Sequence, residues 1–178
     1  RAGERILITG ASGGVGTAAV QVARRAGAKV FAVTGGVENV TRIKALGADI
    51  AYDRFEVDFS REVWRDTYKQ GVDVVFDTVG EEIWPKCLRA LSRGGRLVTS
   101  GATTGSHGVT ELRLVFWKQL EIMGSTMGTP QEFREVMRLV FDGVFDPVIQ
   151  EIMPLKDASR AHEILEKGEI FGKLVLEP

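Results

Sequence analysis

A run of small residues, Gly10-Ala11-Ser12-Gly13-Gly14-Val15-Gly16, stands between an apolar segment, Arg5 to Thr9, and an amphipathic stretch, Val15 to Arg25. The chemistry open to such a run is anion binding. Glycine has no Cβ, so the chain can turn sharply and bring backbone N–H groups close to a phosphate. A helix that starts there adds unpaired amides and a partial positive charge. Gly13 and Gly16 fit the second and third glycines of a dinucleotide-binding G-x-G-x-x-G pattern. Ala11 takes the usual first position, which makes Gly10 the candidate for the tight turn. The pattern is informative because it follows a strand and opens a helix, and dinucleotide binding is the expected use.

A second position decides which dinucleotide. NAD sites usually carry an acidic residue at the end of the second strand, about 20 residues on, for the ribose hydroxyls. Here that place holds Thr34-Gly35-Gly36, and Glu38 arrives only at the start of the next helix. An uncharged strand end leaves room for a 2′-phosphate, and Arg42 is a nearby cation able to pair with it. NADP is therefore expected, with NAD as the alternative.

The elements that must position these residues alternate. Apolar runs at Arg5–Thr9, Lys29–Val33, Asp49–Tyr52, Val72–Phe76, Arg96–Thr99 and Leu120–Gly124 read as six strands. Helical spacing falls at Val15–Arg25, Glu38–Leu46, Asp58–Lys69, Ile83–Leu91, Leu112–Trp117 and Pro130–Phe141. On this reading Val15, Ala18, Ala19, Val22 and Ala23 face inward from the first helix, and Phe59, Val63 and Trp64 from the third. Gly94-Gly95 closes the fourth. Alternation of this kind predicts a doubly wound α/β fold with a six-stranded parallel sheet. Residues 1–146 form the dinucleotide-binding domain. After Asp146-Pro147 a short strand, helix and strand (Val148–Met153, Asp157–Lys167, Lys173–Leu176) make a small β-α-β tail over 147–178.

Composition narrows the classes. The 178 residues carry 23 basic and 24 acidic side chains, a net charge of −1, which argues against a nucleic-acid or anionic-membrane partner. No apolar run is long enough to span a bilayer, and no basic-then-apolar leader opens the chain. A cytoplasmic location is expected. The single cysteine, Cys87, leaves no internal disulfide and no multi-cysteine metal site. The opening, Arg1-Ala2-Gly3-Glu4, enters a strand with no lead-in, so a fragment, or a processed or trimmed chain, is expected.

The segment from Gly3 to Val30 resembles the cofactor domain of medium-chain dehydrogenases/reductases, on the zinc-type alcohol dehydrogenase and quinone oxidoreductase branch. The likeness continues through KALGAD (Lys44–Asp49), VDVVFDTVG (Val72–Gly80), LSRGGRLVTSGATTG (Leu91–Gly105), EIMGSTMGT (Glu121–Thr129) and the AHEILEKGEIFGKLVLEP ending. The resemblance implies hydride transfer between a nicotinamide and a carbonyl, alcohol or activated alkene. It also implies an N-terminal catalytic domain that holds the substrate and any zinc, absent from this chain. The tail would normally pack on that domain. Without it, the tail is expected to be mobile or to lean on a neighbouring molecule.

Carried over residue by residue, the resemblance puts Ser12, Gly13, Gly14, Val15 and Gly16 at the pyrophosphate. Thr34, Gly35 and Tyr52 line the adenosine end, and Thr78 and Val79 border the adenine or ribose. Ser100, Gly101 and Ala102, with Ser125, Thr126 and Met127, approach the nicotinamide. Phe171 and Lys173 close over the cofactor. Asn39 stands where quinone-oxidoreductase-like members often have a lysine for the 2′-phosphate, a departure that counts against NADP. A homodimer paired along the sixth strand is implied too.

Other residues read more plainly. Asp77 is expected to order a loop, not to catalyse. His107 and His162 lack partners of metal-ligand spacing, and Cys87 reads as a small packed residue. Trp64, Trp84 and Trp117 read as core or interface anchors. No Ser-His-Asp or paired-carboxylate arrangement appears, so no catalytic or metal-binding residue is assigned in this chain. Two rival readings are a non-catalytic dinucleotide-binding module and an S-adenosylmethionine-dependent enzyme. The latter normally wants an acid where Thr34-Gly35 stands.

Overall fold

The computed structural model describes residues 1–168 and 170–178. Six parallel strands form one sheet in the order β3-β2-β1-β4-β5-β6. They are β1 (Arg5–Ile8), β2 (Lys29–Thr34), β3 (Ile50–Asp53), β4 (Val72–Asp77), β5 (Leu91–Thr99) and β6 (Glu121–Gly124). The connecting helices are α1 (Gly14–Arg25), α2 (Val37–Leu46), α3 (Phe59–Asp66), α4 (Trp84–Ala90) and α5 (Leu112–Lys118); α6 (Pro130–Phe141) follows β6. The strand order reverses between β1 and β4, and in open α/β sheets that switch point is where ligands bind.

Strand alternation splits the core in two. Leu7, Phe31, Val33 and Val75 point to one face, where they meet Phe59, Val63 and Leu88 from α3 and α4. Ile8, Val30 and Ala32 point to the other, where they meet Val20 and Ala23 of α1 and Ile43 of α2.

Three local expectations need correction. The inner face of α1 is Gly16, Thr17, Val20 and Ala23, while Val15, Ala18 and Val22 are exposed. Small residues lie all round this helix, so its apolar stripe is ambiguous by sequence. On α3, Phe59, Ser60 and Val63 are buried, but Trp64 is turned a further 100° round the helix and is 39% exposed. The α4 helix stops at Ala90, because Leu91 already pairs with Val72 across the sheet. Gly94-Gly95 therefore sits inside β5 at an irregular register, not at a helix end.

The tail forms a separate parallel pair, β7 (Ile149–Pro154) and β8 (Lys173–Glu177), joined by a 3₁₀ turn and α7 (Ala158–Lys167). It is seated on its own chain. Gly172 N–H donates to the Ser12 carbonyl at 2.7 Å, and Gly13 bridges Gly172. Phe171 is buried against the α1–α2 face of the core. Gln21 exchanges two hydrogen bonds with the Asp146 backbone. No helix among the described residues is long and apolar enough to cross a membrane.

Candidate functional site

The glycine loop sits at the carboxyl end of β1, on the switch point. Gly10 adopts φ +57°, so it makes the left-handed turn that Ala11 cannot. A Cβ at Gly10 would lie 2.8 Å from Thr78 Oγ1 and 3.3 Å from Val79 Cγ2. The loops after β1 and β4 are therefore pressed together, with Thr78 and Val79 bordering the glycine run. A Cβ at Gly16 would collide with the Gly10 carbonyl and come within 2.6 Å of Ala11 Cα. Only glycine lets the first turn of α1 fold this close to its own loop.

Gly13 is the N-cap of α1, and no side chain caps the helix. The first-turn amides of Gly14, Val15 and Gly16 lack intrahelical acceptors by geometry, and among the described residues no side chain caps them. Unpaired amides at a helix start are the donor set an anion such as a pyrophosphate requires. Lys173 runs its stem over this turn: a Cβ at Gly14 would sit 2.6 Å from Lys173 Cδ and 2.9 Å from Cγ.

A buried carboxylate shapes the β4 side. Asp77 is fully buried and accepts from Thr9 Oγ1 at 2.7 Å and from Val79 N–H and Gly80 N–H at 3.1 Å each. It orders the loop after β4, as its place in the sequence suggested.

The crevice continues over β5 and β6. A hollow of about 710 Å³ is lined by Gly80, Glu81 and Trp84, by Ser100, Gly101 and Ala102, and by Ser125 and Thr126. Gly101 packs on the Thr78 carbonyl, where an added Cβ would meet the oxygen at 2.9 Å. The expected residues of the β5 and β6 ends thus come together. Met127 does not join them: it is 95% exposed, at φ +52°, beyond the hollow. Trp84 and Glu81 are wall residues that the sequence reading missed. Trp84 Nε1 donates to Thr110 Oγ1 at 2.9 Å, which fixes the indole as one side of the hollow.

At the β2 end the assignments shift. Thr34 ends β2 and Gly35 follows it at the carboxyl end of the sheet. Thr34 is buried, and its Oγ1 is a buried polar atom with no hydrogen-bond partner among the described residues. Tyr52 is turned away: its ring is in the core and its hydroxyl donates to Asp66 at 2.9 Å. Burial, then the Asp66 hydrogen bond and charge, push that phenol far above its ordinary pKa. Tyr52 therefore supports α3 and does not line the adenosine end. Asn39 donates to the Gly35 carbonyl at 3.0 Å and braces the turn.

Arg42 is also engaged elsewhere. Its guanidinium stacks 4.1 Å from the Phe171 ring centre and leans toward Glu38 at 3.9 Å. Phe171 in turn is buried in the core and does not form a lid.

Asp53, the last residue of β3, and Arg54, the first of the β3–α3 loop, lie beside the end of β2. Asp53 Oδ1 accepts from Gly36 N–H at 3.1 Å and from Phe55 N–H at 3.0 Å. Arg54 donates its backbone N–H to the Thr34 carbonyl at 2.8 Å. Its guanidinium lies 4.6 Å from the Phe55 ring centre, and its Nε is 3.2 Å from where a Gly35 Cβ would be. Arg54 is exposed, and among the described residues it forms no ion pair with a carboxylate within 4 Å. Spacing along the chain could not reveal it, because the loop reaches the β2 end only through the β2–β3 pairing. Among the described residues no three His, Cys, Asp or Glu side chains gather as a metal cage.

Residues 14–142 match the family model described as zinc-binding dehydrogenase. The chain is 35% identical over 181 residues to an acryloyl-coenzyme A reductase of Sulfurisphaera tokodaii, covering 100% of this chain and 52% of that protein. Its fold superposes on the crystal structure of an NAD-dependent alcohol dehydrogenase with TM-score 0.93 and 36% identity, covering 100% of this chain and 52% of the other. Against the Escherichia coli quinone oxidoreductase complexed with NADPH the TM-score is 0.89 and the identity 31%, covering 100% of this chain and 58% of the other. The chain spans about half the length of each of these proteins.

Proposed function

The chain belongs to the zinc-binding dehydrogenase family, as a cofactor-binding domain of the medium-chain dehydrogenase/reductase superfamily, and from that premise we propose its work. It holds a nicotinamide dinucleotide for an oxidoreductase acting on a carbonyl, an alcohol or an activated alkene. The observation that carries this is the first turn of α1, which no side chain caps and which Gly16 folds tightly onto the glycine loop. The acryloyl-coenzyme A reductase and quinone oxidoreductase names among its relatives point to activated alkenes and quinones as substrate classes.

When bound, the dinucleotide supplies or accepts the hydride. The residues of this chain orient it. The amides of residues 14–16 hold the diphosphate, Thr78 and Val79 set the width of the crevice, and the β5 and β6 ends make room for the ring. A zinc ion, if the whole protein uses one, would take its ligands outside this chain. The chain alone is proposed to be inactive, and steady turnover of a quinone or enone by it would contradict that.

NADPH is the proposed partner, now on Arg54 in place of Arg42. Asp53 works in the opposite sense, but its Oδ1 is committed to the Gly36 and Phe55 amides. Calorimetric titration of the chain with NADPH and with NADH tests both levels. NADPH should bind more tightly, and Arg54→Gln should weaken it about tenfold or more while leaving NADH unchanged. Tighter NADH binding would overturn the NADPH preference; no binding of either would sink the domain assignment. The exposed β6 edge, Glu121–Gly124, is proposed to pair with a second copy, which light scattering would show as a dimer. A cytoplasmic location belongs to the same proposal.

A further inference from the structure

The face of the sheet covered by α3, α4 and α5 carries a second feature, remote from the glycine loop. One hollow of about 470 Å³ lies among Asp58, Arg61, Trp64, Arg89, Leu114 and Lys118. A second, of about 280 Å³, adjoins it and shares Trp64 and Lys118 with it; Lys69, Arg93 and Trp117 complete its walls. Together they form one trough across three helices.

Its composition departs from the rest of a chain whose net charge is −1. Five cations (Arg61, Lys69, Arg89, Arg93 and Lys118) line the trough, against one carboxylate, Asp58. That carboxylate is already committed. It caps α3 by accepting from Ser60 N–H at 2.9 Å and Ser60 Oγ at 2.7 Å, with Arg89 3.8 Å away. The floor is aromatic. Trp64 is 39% exposed and Trp117 is 73% exposed, which is unusual for indoles that no function keeps at the surface. Lys118 is fixed between the two hollows. Its Nζ donates to the Leu91 carbonyl at 2.6 Å and the Arg89 carbonyl at 3.0 Å, and lies 5.4 Å from the Trp64 ring centre.

We propose that this trough is a docking surface for an acidic polypeptide segment with an aliphatic or aromatic anchor. Tryptophan and arginine dominate the energetics of protein interfaces, and charge complementarity selects the partner. The occupant is acidic because the unpaired charge of the trough is positive. It is a polypeptide because the two exposed indoles call for apolar side chains as well as anions. A nucleic acid fits less well, since an overall charge of −1 supplies no wider field to hold a polyphosphate backbone.

The probe is a fluorescein-labelled glutamate-rich peptide with a central Leu-Phe pair, titrated against the whole chain by fluorescence anisotropy. Saturable binding that weakens with added salt is expected. Trp117→Ala and the charge reversals Arg61→Glu and Arg93→Glu should each weaken it about tenfold or more. Circular dichroism and NADPH affinity should stay at the parent level in all three, because none of these residues touches the crevice. Equal binding by the variants, equal binding of a lysine-rich control peptide, or no binding would overturn the proposal. Tighter binding of a single-stranded oligonucleotide would overturn it in favour of nucleic acid.

Discussion

The two halves of the sheet follow one pattern and reach different degrees of completion. In the first half every residue of β2 after Lys29 is buried, and α1 and α2 cover one face while α3 covers the other. In the second half β6 is exposed at all four positions, and α6 buries none of its residues despite apolar Phe133, Val136 and Phe141. The sheet face beside α1 also carries an apolar groove of about 520 Å³, walled by Ile6, Val74, Phe76 and Val98 and by Val15, Ala18 and Val22 of α1. Apolar alternation alone therefore does not bury a strand. It does so only where a second layer lies across it, and over β4 and β5 one layer is missing.

The sharpest way to break this contrast is to remove side chains from the finished half. Phe31→Ala should destabilise the chain by about 3–5 kcal/mol in urea denaturation, because Phe31 is fully buried between layers. A loss below about 1 kcal/mol would mean the first half is no better packed than the second. Next in size is Asp77→Ala, expected to cost about 3 kcal/mol by leaving the Val79 and Gly80 amides unpaired and Thr9 Oγ1 with only a long 3.4 Å bond to the Phe76 carbonyl. Thr9→Val, which removes a single donor, should cost about half of that.

An acid titration gives a smaller effect. Burial raises the pKa of Asp73, but the Arg5 backbone amide, the Arg5 guanidinium and Ser92 outweigh it, and the net shift is downward. A carboxyl depressed in the folded state stabilises above its unfolded pKa of about 3.9, and that stability fades as pH falls through the folded value. Asp73→Asn should flatten the acid limb of a stability-versus-pH curve by no more than about 1 kcal/mol, since Asp73 is partly solvated. An unchanged acid limb would show that the Arg5–Asp73 contact does not hold β1 to β4. Smallest of all is Phe133→Ser on α6, expected to change stability by less than about 0.5 kcal/mol. A loss of several kcal/mol there would erase the contrast between the halves.

Much of this was legible in the chain. The start of α6 follows from Pro130 at its first position and from Thr129 and Glu132, which form a capping box. The glycine loop is readable because it stands between a strand and a helix, and Gly16 meets its steric demand within the same turn, whereas Gly10 and Gly14 answer to Thr78 and Lys173 far along the chain. The residues at the β2 end were not readable. Asp53 and Arg54 belong to a different strand and loop, and only sheet pairing brings them beside Gly35 and Gly36. Tyr52 misled for the same reason in reverse, since its partner Asp66 lies one helix further on. Arg42 has the right charge and roughly the right distance, but Phe171 from the far end of the chain captures it. Distance in sequence is thus what separates the residues that could be assigned from those that could not.

The backbone link from Gly172 to Ser12 and Gly13 has a temporal side. During synthesis the phosphate loop leaves the ribosome well before Gly172 and the strand β8 that follows it. A nascent polypeptide thus carries an unbraced glycine loop until Gly172 emerges, and tight anion capture must wait for that link.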